Sequence, residues 1–120
     1  VFDARLRAQQ VGIRIELADL GAWDGAALIA EYDHLARVIR INERALAAFR
    51  QACGDLDSCD VRRFIEHAVA HELYHHGEAI GEIERLPTRA AREAAATAFA
   101  RAQVPPDRRL EAFLAARAPE

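Results

Sequence analysis

The hydrophobic pattern changes period once, at Asn42, and that switch limits the fold more than any other feature of the chain. Before it, "GIRIEL" (12–17) alternates apolar and polar residues with Ile13, Ile15 and Leu17 on one face, the period of a half-buried strand. "ALIAEYD" (27–33) and "ARVIRIN" (36–42) read as two more strands, with "DHL" (33–35) as the hairpin connection. A short helix, "FDARLRAQQ" (2–10), precedes them, and "DLGAWDG" (19–25) reads as a turn by its Gly and Asp content.

After Asn42, a good N-cap, "ERALAAFRQA" (43–52) has helical spacing at Leu46 and Phe49 and stops at Gly54. Asp60 caps the next helix, whose apolar positions Val61, Phe64, Ile65, Ala68 and Val69 recur at three and four; its end falls near Gly77 or Gly81. Pro87 and Thr88 open a third helix, "TRAAREAAATAFARAQ" (88–103), stopped by Pro105 and Pro106. "DRRLEAFLAAR" (107–117) forms a last short one. Strands followed by helices imply an α+β fold, a small, mostly antiparallel sheet with helices packed across it.

The 120 residues fit one domain, 1–120, and with 52% of them apolar a core needs no disulfide framework. A net charge of −3, with Arg alternating with acids along the whole chain, argues against nucleic-acid binding, which needs a clustered basic excess. No apolar run reaches the length of a membrane span, and "VFDARLRAQQ" lacks the basic head and apolar stretch of a signal peptide, so the expected location is cytoplasmic. Cys53 and Cys59, in "CGDLDSC", lack the two-residue gap of a zinc knuckle. They read as incidental loop thiols, with a local disulfide as the alternative.

The second of the helices after Asn42 carries "HELYHH" (71–76). His71 and His75 are four apart, about 40° from each other and one turn up the same face, so two imidazoles can share one ion at about 2.0–2.1 Å. Glu72 is rotated by about 100° from His71, badly placed as a ligand on that axis but able to reach a water beside the ion. Two ligands and a general base in one stretch are the chemistry of the HExxH pattern. His67 and His71 have the same spacing, but Ala68 follows His67, so that pair brings no base. His67, His71 and His75 together span a rise of about 12 Å, too long for one ion. His76 reads as a rim residue and Tyr74 lies on the far side of the helix.

A catalytic zinc takes three protein ligands and keeps an open position. The metzincin continuation is absent, because Glu78 and Gly81 stand where it needs Gly and His. With "HELYH" upstream, "EAAATAFARAQVP" (93–105) resembles the later helix of the ImmA/IrrE family of small gluzincin-like peptidases, with Glu93, Thr97, Phe99, Ala100 and Pro105 in the family's places. The resemblance covers roughly residues 11 to 106 and extends to "VIRINERAL", which looks like the family's edge strand over the cleft.

That resemblance implies a zincin-like fold, a Zn²⁺ ion held by His71, His75 and Glu93, Glu72 as general base, and hydrolysis of a cytoplasmic protein or peptide substrate. The extended substrate would pair with "RVIRI". The plain alternative for Glu93 is a surface ion pair with Arg89, and Glu78, Glu82 and Glu84 are the substitute ligands. Thr97 stands where the family often has Asn or Asp, a place suited to orienting a ligand His by a hydrogen bond. No His or Tyr follows His76, which leaves Tyr32 and His34 as the distant candidates for an oxyanion donor. A site without that donor also suits a second function, a zinc-stabilised protein-binding module of the same fold. A third is a helical domain with no metal.

Overall fold

The computed structural model describes residues 2–21, 28–54 and 60–117. Its elements run α1 (Ala4–Gln10), β1 (Arg14–Ala18), β2 (Ala30–Asp33), β3 (Val38–Asn42), α2 (Glu43–Cys53), α3 (Val61–Ala79), α4 (Arg89–Gln103) and α5 (Arg108–Arg117). The order is that of an α+β chain. No helix among the described residues is long and apolar enough to cross a membrane. The tip of the predicted 19–25 turn, Cys59 and most of the loop before it lie outside the described residues.

Each helix start follows from one short polar side chain satisfying a backbone N–H that the helix leaves open. Asp3 accepts from Leu6 N at 3.0 Å, Asp60 from Arg63 N at 2.8 Å, Thr88 from Ala91 N at 3.1 Å and Asp107 from Leu110 N at 2.8 Å. Asn42 does more than cap α2. Its Oδ1 accepts from Arg44 N at 3.1 Å and from Leu20 N at 3.2 Å, while its Nδ2 donates to Leu28 O at 2.9 Å. A side chain only 1% exposed is thereby fully engaged, and both ends of the β1–β2 connection are tied to the start of α2.

The sheet has three strands in the order β1-β3-β2. β2 and β3 pair antiparallel, with Tyr32 opposite Ile39, through the predicted hairpin, whose turn is closed by Asp33 accepting from Ala36 N. β1 pairs with β3 in parallel, Leu17 opposite Ile41. The expectation of a mostly antiparallel sheet is therefore corrected: the sheet is mixed, one pairing of each kind. The expectation that "RVIRI" is an edge strand is also wrong. Val38, Ile39 and Ile41 are each fully buried, and a strand apolar on both faces belongs in the centre of a sheet. The edges are β1 and β2. Leu17 departs from the expected apolar face as well, being 53% exposed towards the end of edge strand β1, while Ile13 is buried and Ile15 half-buried.

The helices close over the sheet around an aromatic cluster. Phe49 of α2 stacks on Phe64 of α3 with ring centroids 5.0 Å apart, and Phe113 of α5 meets both edge-on at 5.4 and 6.0 Å. α3 packs against α4 on one side and against α1 and the sheet on others. At Gly77 the packing is close enough that a Cβ would sit 2.5 Å from Ile83 Cδ1, so the chain leaving α3 folds back directly onto the helix. α3 itself stops before Gly81, which takes φ +80°, a conformation glycine adopts without strain.

Candidate metal centre

α3 and α4 bring the proposed ligands together. One ligand atom each from His71, His75 and Glu93 lies within 4.8 Å of the others, the one such group of three His, Cys, Asp or Glu side chains among the described residues. His75 Nε2 is 2.6 Å from Glu93 Oε2, and His71 Nε2 is 3.6 Å from Glu93 Oε1. The helical spacing supplies the first two groups, with ring centroids 5.2 Å apart. The alanines beside Glu93 let α4 approach, and Ala96 and Ala100 are fully buried. Glu93 itself is half-exposed, so the cluster opens to solvent on the α4 side. Its carboxylate goes to the imidazoles of α3, not to the Arg89 partner that spacing alone allows.

Glu72 is 7% exposed, with its Oε2 4.0 Å from His71 Nε2. Burial pushes its carboxyl well above the usual range, and the neighbouring charges of Glu93 and Glu31 push the same way. His71 is held below its ordinary value by burial, against the attraction of Glu93 and with help from the His75 charge. A neutral imidazole is the form that ligates a metal.

Three carboxylates surround these two imidazoles. The third, Glu78, accepts from His75 Nδ1 at 2.7 Å, and its other oxygen is buried with no hydrogen-bond partner. An acidic cluster with an unsatisfied carboxylate oxygen is costly unless positive charge balances it. The donor set, two imidazoles and a carboxylate, is that of catalytic zinc. The residues present fit such an ion.

Other expected participants are placed differently. Thr97 is exposed, and it is Glu78 that accepts from His75 Nδ1, a correction to the role implied for Thr97. Glu78 was foreseen only as a substitute ligand; the histidine three residues before it was the available signal. Glu82 and Glu84 are exposed beyond the helix end. His67 is buried and its Nδ1 lies 3.0 Å from Val104 O, which it serves as donor, far from sharing the ion. Tyr74 rests between His75 and Phe99, ring centroids 6.2 and 5.8 Å away.

Tyr32 and His34 converge on α3 at His76. The Tyr32 hydroxyl is 2.6 Å from His76 Nδ1 and 3.0 Å from His34 Nδ1. His76 is only 5% exposed, and burial followed by the charge of Arg37 holds it below its ordinary value. It also lines a cavity of about 130 Å³ with Phe2, Leu73, Ile83 and Phe99, a space that includes none of the three proposed ligands.

No protein-family model, curated protein or solved structure matches this chain.

Proposed function

We propose that the chain is a zinc-dependent metallopeptidase that hydrolyses peptide bonds, with His71, His75 and Glu93 as ligands and Glu72 as general base. The observation that carries this reading is the meeting of Glu93 with both histidines across two helices, next to the buried carboxyl of Glu72. A site that only stapled the helices together would have no use for a base beside its ligands. Zinc bound there would lower the pKa of water towards about 7 and polarise a carbonyl.

Glu72 is placed beside the proposed ligands as a general base would be. Burial and two like charges raise its proton affinity, which brings a carboxylate closer to the operating pH. It takes the proton of the attacking water and returns it to the leaving amine. The extended substrate pairs with the outer edge of β2, the strand packed against α3. The Tyr32 hydroxyl on that strand is engaged by His76 and His34, so polarising the carbonyl would fall to zinc. The expected substrate is a cytoplasmic protein or peptide.

The test is cleavage of a mixed peptide library by the zinc-loaded chain. Cleavage that stops on chelation and returns with zinc supports the reading. Tight zinc binding with no cleavage of any peptide would leave the binding-module function in its place.

A further inference from the structure

We infer that Glu78 is a positioning residue, fixing the His75 ring in the tautomer that presents Nε2 to a cation. The inference rests on the reading of His75 as a ligand. Glu78 Oε1 is 2.7 Å from His75 Nδ1, and the Glu78 side chain is only 6% exposed. A carboxylate accepts hydrogen bonds and does not donate them. The proton between the two groups therefore belongs to Nδ1, which leaves Nε2 as the nitrogen the ring can present to a cation. That nitrogen is the one 2.6 Å from Glu93 Oε2.

Helix stability does not account for Glu78. α3 ends at Ala79, so Glu78 lies in its last turn, where the macrodipole disfavours an anion. Its second oxygen is buried and unpartnered, which adds a desolvation cost. Nor can Glu78 readily share an ion with Glu93, because the two carboxylates address different nitrogens of the same ring. What the arrangement supplies is orientation and basicity: an imidazole donating to a carboxylate is a fixed and stronger ligand at its other nitrogen.

The test uses the full chain as wild type, Glu78→Ala and Glu78→Gln, with circular dichroism to check the fold. Long-range proton–nitrogen NMR on the zinc-loaded protein reads which His75 nitrogen carries the proton, and competition with a chromophoric chelator reads zinc affinity. The expected zinc-loaded wild type carries its His75 proton on Nδ1. Glu78→Ala weakens zinc by about 10–100-fold. Glu78→Gln keeps an acceptor in a side chain of the same size, falls between the two, and serves if the alanine variant does not fold. Zinc affinity of the folded variants within twofold of wild type, or a wild-type proton on Nε2, overturns the inference while leaving the metal centre standing. Failure of the wild type to bind zinc overturns both.

Discussion

His75 Nε2 and Glu93 Oε2 lie 2.6 Å apart although they belong to different helices. The contact joins a ring fixed by the local geometry of α3 to a carboxylate delivered by the packing of α4. A cation held by both side chains would tie the two helices, so that zinc and the folded state would stabilise each other.

Zinc should accordingly raise the unfolding temperature. At free zinc about 100-fold above its dissociation constant the gain is about 2.7 kcal/mol, several degrees for a domain of this size. Differential scanning calorimetry with and without zinc measures it, and His75→Ala should abolish the shift.

Glu72→Gln should keep zinc and lose turnover. The amide retains the shape of the side chain but cannot take a proton, and positioned general bases contribute about 10²–10⁴-fold. Chelator competition should give wild-type affinity while peptide cleavage falls by that factor.

His67 makes stability depend on pH. Burial lowers its folded pKa below the ordinary 6.5, with the hydrogen bond to Val104 O opposing the shift. Its contribution is fully present above the unfolded pKa and is lost as the pH falls from there through the folded value. His71 and His76 shift in the same direction, so His67→Asn, which retains a donor near the Nδ1 position, should reduce the slope without removing it. Urea unfolding of the metal-free protein between pH 7.5 and 5 tests this as conditions of about that range straddle the histidine pKa.

Phe64→Ala should destabilise the fold by about 3–5 kcal/mol. The ring is 1% exposed and touches Phe49 and Phe113, so its removal opens a cavity where α2, α3 and α5 meet. The midpoint of a denaturant titration should move down without a change in its slope.

The helix starts at Asn42, Asp60 and Thr88 were legible because an N-cap is a local event, decided by one side chain and the backbone two or three residues on. The spacing of His71 and His75 was legible for the same reason. Strand placement is not legible: β1 and β3 pair in parallel although β2 separates them in sequence, a non-local arrangement that the period-two pattern does not report. The apolar pair Val38 and Ile39, which puts apolar residues on both faces of β3, is the available clue that the strand is central. Glu93 is a candidate ligand by family resemblance alone, since periodicity does not say which residue of α4 faces α3. The Tyr32–His76 contact, 44 residues apart in the chain, needed the tertiary structure.

The most direct measurement is the zinc stoichiometry of the intact chain by native mass spectrometry, for the wild type and for His71→Ala, His75→Ala and Glu93→Ala. The account predicts one zinc per wild-type chain, with affinity falling on the order of 100-fold or more in each variant, a ligand being worth at least as much as its outer-shell partner. A wild type that binds no zinc, or a Glu93→Ala variant that binds it as tightly as the wild type, would contradict the proposed centre.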